Sequence, residues 1–377
     1  MKTIVNAARI LVGALFIFSG LVKAIDPLGL AYKMQEFFEV WARDGYWKSG
    51  MDWLYQHALL FSVLMIALEV ILGVALLLGR HIKIVSWLLL LLMLFFTFLT
   101  SYVLFSGKIR ACGCFGDCIP LTPIQTFTKD IILLVLVLVI LFGRQHIKPL
   151  FSATVTWALL LLSLLGVSFL QWYVLGHLPV KDCLPYKVGN NIIELRKMPK
   201  DAVQDKFDYT FVYEKGGKKQ DFKVDAIPDS TWTFVERKEV LVQKGRNNVP
   251  LINDFNFKTA EGADTTEAVL SQPGNYYLLF LKNPVLGKTD VEEIEHIYQS
   301  ARTAKIPVYA ITSNRTAALD ILGNSYKLAE DGFKPAIFTC DMTAIKTAAR
   351  NDVTLYLMKG PVVQKKWGGK DIAASFK

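Results

Sequence analysis

His57–Leu78 reads HALLFSVLMIALEVILGVALLL, twenty-two residues with a single acid, Glu69, and no Lys or Arg. A helix needs about 20 mostly apolar residues to cross the hydrocarbon core of a bilayer. This stretch meets that length, so the chain reads first as a membrane protein. Outward from it, Val5–Val22 and Ile84–Leu104 repeat the pattern, Asp130–Phe142 does so with weaker flanks, and Thr154–Leu175 makes a fifth span. Lys2 ahead of the first apolar run would suit a cleaved leader. The run is long, however, and no small-x-small site precedes Lys23-Ala24-Ile25-Asp26-Pro27, so it reads as a span.

Charge marks the boundary of this region. Of the 42 basic and 33 acidic residues, only 13 and 8 lie in Met1–Leu178. The net charge of +9 comes from both parts and from no Lys/Arg block. It reads as membrane-surface and solvated-face charge, with no nucleic-acid partner. No G-x-G-x-x-G or Walker-type loop occurs, and five scattered histidines speak against haem or a di-iron site. The loops Arg80-His81-Ile82-Lys83 and Gly143-Arg144-Gln145-His146-Ile147-Lys148 are short, basic and free of acids. That density predicts a cytoplasmic N-terminus and an extracytoplasmic C-terminal part, as in a bacterial inner membrane protein. Trp172 and Tyr173 then sit where the fifth span meets the headgroups.

Between the first two spans, Leu30, Met34, Phe37, Phe38 and Trp41 recur at helical spacing. They suit a helix lying in the interface or, equally, a packed cap over the bundle. Pro179–Gly189 reads as a tether. Residues 192–245 alternate in short runs around the turn Lys215-Gly216-Gly217-Lys218, which predicts a small, mostly β segment. From about 250 the rhythm is that of an α/β domain: strands at Tyr276–Leu281, Ile306–Thr312, Thr354–Met358 and Val362–Lys366, and helices at Val291–Thr303, Arg315–Leu322 and Met342–Ala349. The expected division is 1–150, a four-helix membrane domain; 151–178, a fifth transmembrane helix; 179–248, tether and β segment; and 249–377, a soluble domain.

Phe18-Ser19-Gly20-Leu21-Val22-Lys23-Ala24-Ile25-Asp26-Pro27, Leu68-Glu69-Val70-Ile71-Leu72-Gly73 and Cys112-Gly113-Cys114-Phe115-Gly116 give residues 5–148 a further character. Together they resemble the DoxX/MauE group of four-helix membrane proteins, and the Cys-Gly-Cys-Phe-Gly run is most similar to its MauE branch. The resemblance implies an architecture related to disulfide-exchange proteins of the vitamin K epoxide reductase type, a link to disulfide formation outside the membrane, and a quinone as electron acceptor. Those reductases carry a Cys-x-x-Cys, and this chain has none.

The C-terminal part resembles a thioredoxin-like domain of the TlpA or peroxiredoxin kind. Pro250–Phe255 corresponds to its first strand, Leu278–Leu281 to its central strand, and Tyr356–Gly360 through Trp367 to its final hairpin. Where that family places its cysteines, this chain reads Lys282-Asn283-Pro284-Val285-Leu286-Gly287, and Asp352-Val353-Thr354 stands in place of the cis-proline. Without thiols there, the domain is expected to bind or position a partner protein from the envelope or membrane.

Five cysteines carry the candidate chemistry. Cys112, Cys114 and Cys118 fall within seven residues before the fourth span. They read as a catalytic, redox-active trio, one pair holding a disulfide and the third resolving it, or as one structural disulfide with a spare thiol. Three thiolates with no nearby His fall short of a closed zinc site, so no metal is expected. Cys183, in the tether, either pairs with the odd cysteine of the trio or stays an inert thiol, the latter being the nearer expectation. Cys340, at a strand end, reads as core.

Glu69 stands mid-span, where a bare charge costs at least about 2.5–3.5 kcal/mol. It needs a partner, for which Lys23 and Lys129-Asp130 are the candidates, and it marks either a functional polar site or a structural clasp. The leading reading is membrane-bound thiol–disulfide exchange. The alternative is a non-enzymatic, membrane-anchored scaffold. A transporter is disfavoured because one ionisable residue alone lies deep in a span.

Overall fold

Polar punctuation sets the helix ends in the computed structural model, which describes residues 1–109, 113, 116–243, 245–282, 288–323 and 336–374. Five helices are long and apolar enough to cross a membrane: α1 (Lys2–Ala24), α4 (Ala58–Leu78), α5 (Ile82–Ser106), α6 (Pro123–Gly143) and α7 (Ala153–Gly176). The weak flank ahead of Asp130 is itself helical. Thr122 and Gln125 form a capping box there and Pro123 occupies the first turn, which starts α6 seven residues before Asp130.

Between α1 and α4 the chain forms two further helices, α2 (Pro27–Arg43) and α3 (Lys48–Gln56). The Asp26 carboxylate accepts a hydrogen bond from the Gly29 N–H at 3.1 Å and caps α2. Phe37 and Val40 are buried with Val103 and Ile109, so α2 packs as a cap over the end of the bundle.

Glycines let α1 and α4 approach. A Cβ on Gly73 would stand 2.8 Å from the Gly13 carbonyl oxygen, and one on Gly20 would stand 2.6 Å from Val70 Cγ2. Backbone closeness of this kind is how membrane helices gain dispersion contact without a hydrophobic driving force. Val12 and Phe16 of α1, Leu76 of α4, Leu89 of α5 and Val137 of α6 fill the shared core. By contrast, α7 packs at the edge on α4, and Leu162, Leu165 and Phe169 face outward. Arg9 closes the bundle end near the N-terminus: its Nε donates to the Leu76 carbonyl at 2.9 Å and its Nη2 donates to that of Leu77.

At the opposite end, residues 179–189 are packed chain. Tyr186 is 2% exposed within the core of the following domain, and the Gly189 N–H donates to the Val363 carbonyl at 2.8 Å. A short helix α8 (Ile192–Arg196) precedes a three-stranded sheet of β1 (Lys206–Lys215), β2 (Lys218–Lys223) and β3 (Thr233–Gln243), in the order β2-β1-β3. The Lys215–Lys218 turn closes the first hairpin as expected, with Gly216 and Gly217 both at positive φ.

The soluble α/β domain has α9 (Thr266–Leu270), β4 (Asn275–Leu281), α10 (Lys288–Thr303), β5 (Val308–Thr312), α11 (Arg315–Gly323), β6 (Ala336–Thr339), α12 (Met342–Ala348), β7 (Val353–Lys359) and β8 (Val362–Gly368). Its sheet runs β6-β5-β4-β7-β8. Neighbours are parallel from β4 through β6, and antiparallel from β4 through β8. Both faces of β4 are covered, Tyr276, Leu278 and Phe280 on one and Tyr277, Leu279 and Leu281 on the other, which explains its unbroken apolar run.

Residues 250–255 are no strand. Asp254 takes a positive φ of 55°, which breaks extended pairing, while Phe255 and Phe257 turn into the core.

Candidate functional site

Ser19 and Lys23 lie one turn apart on α1, so their side chains share a face. That face meets Glu69 of α4. Lys23 Nζ lies 2.5 Å from Glu69 Oε1 and 2.6 Å from Oε2, and Ser19 Oγ donates to Oε2 at 3.2 Å. Lys23 and Glu69 are 4% and 1% exposed, so the pair is fully withdrawn from solvent. Of the two partners considered for Glu69, Lys23 makes the pair. Lys129 Nζ instead lies 2.7 Å from its neighbour Asp130 Oδ1. All five side chains line one small cavity of about 30 Å³ between α1, α4, α5 and α6. Three helices thus bring a buried polar cluster together, with Ser19 as a member that sequence reasoning passed over. The i, i+4 spacing of Ser19 and Lys23 was its available signal.

Beside it, Lys23 and Phe96 also line a larger cavity of about 300 Å³, with the Lys23 ammonium 5.2 Å from the centre of the Phe96 ring. Phe37, Phe38, Trp41 and Phe95 are among the aromatic residues of its wall. It lies beneath α2 as a mainly apolar slot with two cations, Lys23 and Lys33, in its lining.

Above Lys23 the chain is cross-linked: Cys118 forms a disulfide with Cys183, 65 residues on. Of the two alternatives for Cys183, pairing with a cysteine of the trio is the one found, against the nearer expectation of an inert thiol. Cys118 is committed outside the trio, and Cys183 is a bonded cysteine. The reason is spatial, since the turn Gly116–Cys118 and the segment after α7 meet over the end of α1, around Val22, Lys23 and Asp26. Cys112 and Cys114 lie outside the described residues. Cys340 is 6% exposed, and burial pushes its thiol up to about 12, which makes it an inert core residue.

A second polar cluster joins bundle to domain. Arg350 Nε donates to Asp26 Oδ2 at 2.8 Å, Lys346 Nζ donates to Gln35 Oε1 at 2.9 Å, and Lys282 Nζ donates to the Tyr32 hydroxyl at 3.1 Å. The three cations surround the Tyr32 ring at 5.1 to 5.9 Å from its centre. Lys282 stands just after β4, as the sequence reading placed it, where the thioredoxin-like proteins that this part resembles carry cysteines. Burial holds its ammonium down to about 8, against the opposing pull of Asp352. None of these contacts was legible from the sequence, because the partners lie some 250 to 320 positions apart.

Comparison with known proteins adds the following. Residues 1–143 match the family model described as methylamine utilisation protein MauE. Residues 207–244, which contain most of the three-stranded sheet, match a model described as a domain of unknown function (DUF8463). The chain is 32% identical over 137 residues to Protein TlpB of Flavobacterium psychrophilum, covering 36% of this chain and 35% of that protein. The chain thus spans about a third of the length of the curated relative it matches. No solved structure matches.

Proposed function

We propose that this chain is an inner-membrane protein of MauE-like architecture that takes part in thiol–disulfide exchange outside the cytoplasm. The observation that carries the reading is the Cys118–Cys183 disulfide. It ties the cysteine-bearing loop to the segment leading into the soluble domain, and disulfides of this kind form in oxidising compartments. With Cys118 committed, Cys112 and Cys114 become the exchanging pair. A client dithiol would be oxidised to a disulfide as the Cys112–Cys114 disulfide is reduced to two thiols. Reoxidation of that pair releases two electrons and two protons, and a bound quinone, the acceptor implied by the resemblance, supplies a sink for both. The aromatic slot beneath α2 has the size and apolarity for such a ring, at the lower end of ligand-pocket volumes. There Phe37, Phe38 and Trp41 would hold the ring out of water, beside the Lys23 ammonium, whose N–H groups stay on Glu69 and Ser19.

The order β6-β5-β4-β7-β8, with its parallel half and antiparallel hairpin, supports a thioredoxin-like reading of the soluble domain. Lacking thiols after β4, it would recognise a partner protein. A second reading, a non-enzymatic scaffold, is favoured by the same disulfide if that bond is purely a staple.

Thiol alkylation of isolated membranes across a glutathione potential series separates the two. Exchange predicts that Cys112 and Cys114 titrate together at an oxidising potential, and that replacing one by Ala traps a mixed disulfide with another protein. Failure of Cys112 and Cys114 to titrate above about −300 mV, where structural bridges lie, whatever Cys118–Cys183 does, would leave the scaffold.

A further inference from the structure

Asp130 stands apart within the intramembrane cluster. Glu69 has both carboxylate oxygens held by the Lys23 ammonium, with Ser19 donating to one of them. Asp130 is 1% exposed and holds Lys129 at Oδ1, yet its Oδ2 has no hydrogen-bond partner among the described residues. A buried, unsatisfied acceptor costs about 1–3 kcal/mol, and more when charged. Such an atom therefore points to something that fills the space beside it. Asp130 lines the 30 Å³ cavity with Ser19, Lys23, Glu69 and Lys129. One water needs about 10–15 Å³ and two to four polar partners. The cavity offers both, and its remaining walls, Leu15, Phe16, Met93, Phe96 and Leu133, are apolar.

We propose that this cavity is a hydrated proton-binding site, with Asp130 as the carboxyl that takes up and releases the proton and Lys23–Glu69 as a fixed ion pair beside it. Charge supports the division of roles. Protonating Glu69 would forfeit two close bonds to an ammonium, whereas Asp130 has an oxygen free of any such bond. Among the described residues, the charged groups lining the cavity with Asp130 are Lys129 from its own helix, Lys23 from α1 and Glu69 from α4. The lining residues from α5, Met93 and Phe96, carry no charge. Lys129 is 24% exposed on its side chain, so the cluster is not fully sealed on the α6 side. As a use for the site, which rests on the exchange reading above, Asp130 would hold one of the two protons released when two thiols close to a disulfide. The site itself stands independently of that use.

A hydrophobic carbodiimide, dicyclohexylcarbodiimide, tests it, because the reagent modifies carboxyls that carry a proton in an apolar setting. The full-length protein in native membranes is treated and its peptides are mapped by mass spectrometry. The expected result is an adduct on Asp130, lost in Asp130→Asn, with Glu69 unmodified until Lys23→Met releases it. The Asp130→Asn variant is checked for an intact Cys118–Cys183 bond, so that loss of labelling is not loss of fold. No adduct on Asp130, or labelling of Glu69 in its place in the unaltered protein, overturns the proposal. Neither outcome depends on whether Cys112 and Cys114 exchange thiols, so the two ideas fail separately.

Discussion

Lys23 and Glu69 show what a membrane asks of a charge. Each ion loses its hydration on burial, and the loss is tolerable only while the other stays within hydrogen-bond reach. Lys23→Met should therefore destabilise the bundle by about 3–5 kcal/mol, because Glu69 then either stays charged without a partner or must take up a proton to stay buried. The double variant Lys23→Met with Glu69→Leu should recover most of that loss. Thermal unfolding in a single detergent reads both, and equal stability of the single and double variants would refute the coupling. Gln171 gives the opposite case. It is 1% exposed on α7, and neither of its amide atoms finds a partner among the described residues. Replacing an unsatisfied buried amide by a hydrocarbon of similar shape is neutral or stabilising. Gln171→Leu should hold or raise the melting temperature, and a clear drop would mean that the amide is satisfied in the membrane.

At the scale of elements, what was legible followed local rules. Span length exposed all five membrane helices. The apolar run Tyr276–Leu281 gave the central strand, and a double-glycine turn gave the first hairpin. Glu69 announced the polar site because a charge inside an apolar run requires a counter-charge, and the candidates for that role were few. What was not legible depended on distant meetings. The strand expected at 250–255 fails because a positive φ at Asp254 and two inward phenylalanines override its alternation. Cys118 finds Cys183 because the end of α7 returns over α1; the sequence offered such a pairing as one of two alternatives, but spacing alone could not choose it or say which cysteine of the trio it takes. That bond closes a 65-residue loop containing two membrane helices. Chain entropy sets an upper limit of about 4 kcal/mol on its stabilisation, reduced here because inserted helices are already constrained. Cys183→Ala should lower the melting temperature under oxidising conditions and abolish its sensitivity to reductant. If reductant still lowers the melting temperature of Cys183→Ala by the full amount, the stabilising bond lies elsewhere.

Across the whole molecule, bundle and domain are joined by cations from the domain around Tyr32 and Asp26 on α2, and titration of one of them should be measurable. The Lys282 ammonium is held down to about 8 by burial in the folded protein. In the unfolded chain a lysine keeps its proton to about 10.4. Between those two values the unfolded state binds more protons than the folded one, so stability rises with pH across that window. Below it both states are protonated and the folded protein carries the full burial penalty. Lys366, buried against Asp182 at 2.6 Å, is lowered in the same direction and adds to the slope. Tyr32, Tyr186 and Tyr356 are raised by burial, and above about pH 10 they reverse the sign, since unfolded tyrosines lose their protons first. The melting temperature should therefore climb between about pH 8 and about pH 9.5, with a full effect on the order of 3 kcal/mol if Lys282 acts alone. Lys282→Met should flatten the climb to the remainder contributed by Lys366. An unchanged slope in Lys282→Met would remove this lysine from the account, and a falling slope in the unaltered protein would mean that the ammonium remains charged in the folded state.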